Sequence, residues 1–165
     1  MTALCGDEEY YFEGKCLHQA RGCSNFDQAN NTCTSNGQGE GKLLTIRNPK
    51  ESHFFAERIT NATWLGLTRT TQTTPWKWEN GMVFNYTDWH EEEPKDSLNC
   101  ATLAKNGNRT GWEAQDCQSC QKVVCEKGIF ETITIICHNE MENARQLILM
   151  FSSFPYRCQL RRSNV

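Results

Sequence analysis

Ten cysteines in 165 residues constrain this chain more than any other feature. So many thiols are hard to keep reduced in a cytosol, and they favour a disulfide framework formed in an oxidising compartment. Zinc fits the spacing badly. Cys117 and Cys120 form the one close pair, Cys125 follows, and no second CxxC or His pair lies elsewhere. Sequons beginning at Asn30, Asn61, Asn85 and Asn108 agree with a glycoprotein of the secretory pathway. The length allows one domain with an adequate core, plus a tail. A net charge of -3 and the lack of a basic stripe leave no electrostatic footprint for nucleic acid.

The opening MTALCGDEEYYF has no apolar run after its Met and does not read as a signal peptide. No apolar run reaches the roughly 18 residues of a membrane span. An extracellular domain (secreted, or the ectodomain of a membrane protein) without a visible export signal is expected to be a fragment, an alternative transcript or a trimmed form.

Local patterns give the elements. EYYFEGKCLHQARG alternates loosely and suits a strand or hairpin. In SNFDQANNTCTSNG, Phe26, Ala29 and Cys33 share one helical face, with Ser24 or Asn25 available as N-cap. KLLTI reads as a brief strand. A second helix is well punctuated, with Asn48 as cap, Pro49 at the first position and Glu51 completing a capping box. Phe54, Phe55 and Ile59 form its buried face, and its end is expected near Asn61. WLGLT, PWKWENG, MVFNY and QKVVCEK read as short strands, so helices first and strands later predict an α+β domain.

In order, FDQANNTC, LLTI, the capped helix leading to WLGL, WKWENG, Trp-x-x-x-Glu-Pro before a cysteine, GW-x4-C and VVCEK resemble the C-type lectin-like domain. The resemblance covers about Cys5 to Lys127, and the domain is taken as residues 1–127. It implies two helices packed on short antiparallel sheets, a long irregular loop region and disulfide staples. It also implies the pairings Cys33 with Cys125, Cys100 with Cys117, and Cys5 with Cys16 in the N-terminal hairpin of the long form. Each bridge is worth about 3–5 kcal/mol in the chain-entropy account. In this fold the first and last strands pair antiparallel, so Cys23, just after one, is expected to bond Cys120, just before the other. Trp64, Trp78 and Trp112 are expected in the core, leaving Trp76 and Trp89 as surface candidates.

DWHEEEPKDSLNC, residues 88–100, poses the functional question. Sugar-binding members of the family hold calcium with a Glu-Pro-Asn or Gln-Pro-Asp triplet, a Glu two residues before the next cysteine, and an Asn-Asp pair after the tryptophan. Calcium wants about six to eight oxygens, and such side chains supply them. The triplet here is Glu93-Pro94-Lys95, Leu98 stands two before Cys100, and Glu113 and Ala114 follow Trp112. Glu93 keeps its identity and Glu113 is a substituted carboxylate, whereas the other three positions have lost their oxygen. A lysine ammonium a few ångströms from a divalent ion repels it by about several kcal/mol even at an effective dielectric near 20. No metal and no cofactor are therefore expected. Either the Lys95 ammonium takes the place of the cation between Glu93 and Glu113, or it points to solvent and contributes nothing. Glu91, Glu92 and Asp96 read as an acidic face for a basic partner or as solvated charge.

The implied function is extracellular recognition, without calcium, of a protein or other ligand through the region between Gly81 and Trp112. Glu93, Lys95, Asp96, Glu113, Trp89 and Asn99 are the candidate contacts. The alternative is a carbohydrate-binding lectin with a non-standard calcium site or a metal-free groove around Trp89 and Asn99. Catalysis is not expected: His18, His53, His90 and His138 are scattered, and no nucleophile-elbow, HExxH or phosphate-loop pattern occurs. Residues 128–165 resemble no module. They are expected to be a poorly ordered, alternative C-terminus, with IFETITII an aggregation hazard, or a small element stapled by Cys137 and Cys158.

Overall fold

Glu13 and Gly14 adopt positive φ (42° and 81°), which suits a tight hairpin turn, and fold β1 (Glu9–Phe12) back onto β2 (Lys15–Gln19). The computed structural model describes residues 5–6, 8–36 and 41–128, together with the backbone of strands 133–137 and 158–162. In α1 (Phe26–Asn36) the capping residue is Asn25 rather than Ser24, since its Oδ1 accepts from Gln28 N at 3.0 Å. Phe26, Ala29 and Cys33 are buried, as their spacing predicts. Asn48 caps α2 (Pro49–Ala56) by accepting from Glu51 N at 3.0 Å. The return half of the capping box differs from expectation, because the Glu51 carboxylate takes Arg47 N at 2.6 Å. The helix ends at Ala56, short of Asn61.

Two small antiparallel sheets complete the unit. One runs β1-β2-β8-β3, with β3 at Lys42–Leu43 and β8 at Val124–Gly128. The other runs β5-β4-β6-β7, with β4 at Thr63–Thr68, β5 at Lys77–Trp78, β6 at Cys100–Asn106 and β7 at Arg109–Gln115. The β6–β7 hairpin, the longest ladder, was not among the strands read from sequence. MVFNY, expected as a strand, belongs to none. Its residues alternate in exposure, with Phe84 and Tyr86 turned inward, yet no neighbouring strand pairs with it. Alternation alone reported a face, not a ladder.

The core forms two clusters. Leu65, Leu67, Trp78, Leu103 and Trp112 pack with Phe55 of α2 and with Ile59 just beyond it, while Phe26, Trp64 and the Cys33–Cys125 bridge pack beside α1. All three tryptophans expected inside are buried. The bridges Cys5–Cys16, Cys23–Cys120, Cys33–Cys125 and Cys100–Cys117 are formed. The Cys23–Cys120 bond follows from the register, in which Gln19 of β2 lies opposite Val124 of β8. The fold is therefore α+β and disulfide-stapled, as anticipated.

Lys15 sits at the heart of a buried ionic group. Its Nζ is 2.8 Å from Glu126 Oε2 and 3.2 Å from Glu51 Oε1, and it donates to Thr45 O at 2.9 Å. Glu51 is fully buried and is also bound by Arg47. Burial alone would raise the Glu51 carboxyl, but the Arg47 hydrogen bonds and the Lys15 charge hold it below the usual carboxylate range. Burial wins at Glu126 and pushes its carboxyl up, despite Lys15.

A second unit contains β9 (Ile133–Cys137) and β10 (Cys158–Arg162), paired antiparallel with Cys137 opposite Cys158. That is the register a small element stapled at these cysteines requires. Most of the tail expected to be poorly ordered (129–132, 138–157 and 163–165) lies outside the described residues.

Candidate functional site

The long loop between Glu79 and Asn99 is anchored at its middle and at its far end. At the middle, Trp112 N donates to Asp88 O at 2.8 Å and His90 N to Trp112 O at 2.9 Å, so residues 88–90 extend the β7 edge. Side chains reinforce this seam. Arg109 reaches Asp88 Oδ1 at 2.7 Å, Trp89 O at 3.0 Å and His90 Nδ1 at 3.1 Å, while Ser52 of α2 donates to the other Asp88 oxygen. His90 Nε2 lies 3.1 Å from Ala104 O, so Nε2 carries the hydrogen and Nδ1 accepts from Arg109.

The far end is held by a residue that sequence reasoning did not single out. Arg69, just past β4, is 7% exposed and forms no ion pair among the described residues. Its guanidinium donates instead to main-chain carbonyls: Leu98 at 3.0 Å, Lys95 at 2.7 Å, Asp96 at 2.8 Å and Gln72 at 3.3 Å. It also lies over the Trp76 ring, 4.9 Å from the centroid. Its planar fork of donors is what lets one side chain gather three carbonyls of one short loop segment.

The candidate contacts fall into three groups around this frame. The Glu93 carboxylate is turned inward, its Oε2 accepting from Lys95 N at 3.0 Å and from Ala114 N at 2.9 Å. Its Oε1 is 3.3 Å from Lys95 Nζ. Burial disfavours the charged form, but those two amides and the Lys95 ammonium outweigh it and hold the Glu93 carboxyl below its ordinary value. Lys95 itself remains 66% exposed along its side chain.

Glu113 does not flank Lys95. It is directed to His90, with Oε1 3.9 Å from Nε2. The amide of Ala114 is what meets Glu93, and the neighbouring strand position carries its side chain elsewhere. The expected bracket of two carboxylates around Lys95 is therefore half formed.

Trp89, half-buried, packs against Trp76 (centroids 5.0 Å apart) and edge-on to Trp112 (5.5 Å). Asn99 is half-buried, and its Oδ1 and the Trp76 Nε1 are enclosed without a hydrogen-bond partner among the described residues. Glu91, Glu92 and Asp96 are exposed.

These groups offer a divalent ion few oxygens. Glu93 is engaged by two amides and an ammonium, Leu98 and Ala114 have no side-chain donor, and Glu113 faces His90. Among the described residues, the one cluster of His, Cys, Asp and Glu tight enough for a metal is Cys5, Glu9 and Cys16, whose two sulfurs are bonded to each other.

Of the sequon asparagines, Asn61, Asn85 and Asn108 are exposed and Asn30 is half-buried on α1. Thr63, the third residue of the Asn61 sequon, is 3% exposed and donates to Asn61 O at 3.0 Å.

Two helices, two stapled sheets and a long loop pinned by side chains define a disulfide-bonded recognition domain of the α+β class. The family described as "Lectin C-type domain" matches residues 23–127, and the chain belongs to it. Human regenerating islet-derived protein 4 is 26% identical over 76% of this chain and 82% of its own length. The snaclec coagulation factor IX/factor X-binding protein subunit B1 of Trimeresurus stejnegeri is 26% identical over 70% of this chain and 78% of its own. Among solved structures, the C-type lectin domain of murine dendritic cell inhibitory receptor 2, in complex with N-glycan, superposes with TM-score 0.69 at 21% identity, over 75% of this chain and 98% of that one. A calcium-independent type II antifreeze protein also gives 0.69, at 20% identity over 76% and 95%. This is a ligand-recognition fold. No helix among the described residues is long and apolar enough to cross a membrane.

Proposed function

We propose that this C-type lectin domain is an extracellular recognition module that binds a protein ligand through its long-loop surface without calcium. The observation that carries the reading is the Glu93 carboxylate. Its oxygens are taken by Ala114 N, Lys95 N and Lys95 Nζ, so an entering ion would have to displace three donors of the chain itself. Arg69 supports the same reading, because it orders the carbonyls of residues 95, 96 and 98 with a fixed cation. The named activity of the snaclec relative, binding of coagulation factors IX and X, supports a protein ligand. The calcium-independent antifreeze neighbour supports this fold standing without calcium.

Thermal melting with excess calcium and with excess chelator tests the metal claim. Equal midpoints are expected, and a midpoint that rises with calcium would defeat it.

A second reading, sugar binding in a metal-free groove, is favoured by one observation: the Asn99 Oδ1 and the Nε1 of Trp76, whose ring packs on Trp89, are enclosed without a hydrogen-bond partner among the described residues. A glycan array run in chelator separates the two. Saturable binding there would favour sugar, whereas silence together with capture of a single extracellular protein that an excess of isolated domain competes away would favour the first.

A further inference from the structure

A groove of about 200 Å³ opens between α2 and the sheet of the N-terminal hairpin, lined by no residue of the long loop. Its floor is apolar, with Leu17, Phe55 and Ile59 buried beneath it and Val124 half-buried at its side. Tyr10, 64% exposed, forms an aromatic lip. Two cations line the groove, Arg58 and Lys122, and among the described residues no carboxylate does.

The cations differ in how far they are already used. Arg58 lies over the Phe54 ring at 3.7 Å, donates to Phe54 O at 2.9 Å and approaches Glu57 at 3.4 Å. Lys122 is half-buried and has no ion pair among the described residues. Its main chain is fixed on both sides, N donating to Ala62 O at 3.0 Å and O accepting from Trp64 N at 2.9 Å. The backbone of Lys122 therefore serves the fold, while among the described residues no carboxylate pairs with its ammonium.

We infer that this groove binds a small amphiphilic carboxylate, an aryl- or alkyl-substituted acid. Its apolar body lies over Phe55, Ile59 and Val124, and its carboxylate meets Lys122 in a charge-assisted hydrogen bond. The volume is below the roughly 300–1,000 Å³ usual for drug-sized ligands, which restricts the guest to a small acid. Charge complementarity decides the class. A neutral guest would leave the ammonium unpaired, and a cationic one would be repelled by both Lys122 and Arg58.

The test is an NMR titration of the whole chain with 4-phenylbutyrate and, in parallel, its neutral counterpart 4-phenylbutan-1-ol, following the methyl signals of Leu17, Ile59 and Val124. Saturable shifts at these methyls are expected with the acid, with the alcohol about tenfold weaker. Lys122→Met, which keeps the aliphatic stem and the main-chain bonds, is expected to weaken the acid about tenfold and leave the alcohol unchanged. Equal binding of acid and alcohol, an unaltered affinity in Lys122→Met, or shifts confined to other parts of the domain would overturn the inference. So would failure of both probes, the result if a glycan on Asn61 at the rim or another part of the chain covers the groove. Should Lys122→Met fold poorly, the acid–alcohol comparison on the unaltered protein decides by itself.

Discussion

Two side chains in this domain are enclosed cations, and they are neutralised in opposite ways. Lys15 faces two carboxylates, Glu51 and Glu126, and one carbonyl. Arg69 faces carbonyl dipoles and an aromatic ring, with no carboxylate among its partners. The first is an ion-pair group that ties the N-terminal hairpin to α2 and β8, and the second is a clasp on the loop that carries recognition. The difference teaches that an enclosed cation can organise a region either through carboxylates, which titrate, or through carbonyls, which do not.

The largest effect is expected from Lys15→Met. Removing the cation leaves two buried carboxylates facing each other, at a cost of about 3–5 kcal/mol in denaturant unfolding. A loss below about 1 kcal/mol would mean that the group behaves like an exposed pair and would erase the contrast. Arg69→Met comes next, with about 2–3 kcal/mol expected from the loss of charge-assisted bonds to the loop carbonyls. It should also speed amide exchange across residues 95–98 while sparing the hairpin. Arg69→Lys should recover only a minor part, because an ammonium cannot reproduce the fork.

Acidity separates the partners of the two cations more sharply. Glu51 has a lowered folded pKa, so its contribution is present above its unfolded value and is lost as pH falls through the folded one. Glu126 has a raised folded pKa, so its contribution is present below the unfolded value and is lost as pH rises through the folded one. Stability measured against pH should therefore rise less steeply from acid in Glu51→Gln. In Glu126→Gln it should decline less above the ordinary glutamate range. Arg69→Met should shift the whole curve down without changing either slope. The smallest effect belongs to Lys95→Met, below about 1 kcal/mol, since that ammonium is mostly solvated.

How much of this was legible depended on whether the partners were local. Asn48, Pro49 and Glu51 announced α2 because a cap is a contact between neighbours. The cysteines became legible through the resemblance to the C-type lectin-like domain, whose ordered motifs carry them at matching places and imply their pairing. The β6–β7 hairpin carried a local sign that went unused, Asn106-Gly107 at its turn, with Gly107 at φ 60°. Arg69 carried none. Its acceptors in the loop lie 26 to 29 residues along the chain, and they are carbonyls, which every residue possesses. Glu113 was misplaced for a related reason: its motif position is beside the loop, but its side chain follows the pleat of β7 toward His90.

The threonine that completes the Asn61 acceptor sequence is also a strand residue bridged to Lys122. Once β4 is laid down, its hydroxyl is enclosed and spent on the Asn61 carbonyl. The hydroxyl defines the acceptor, so any sugar there must be attached before that strand docks. Occupancy at this asparagine would then act as a clock, recording how long the young chain stayed open before its second sheet closed.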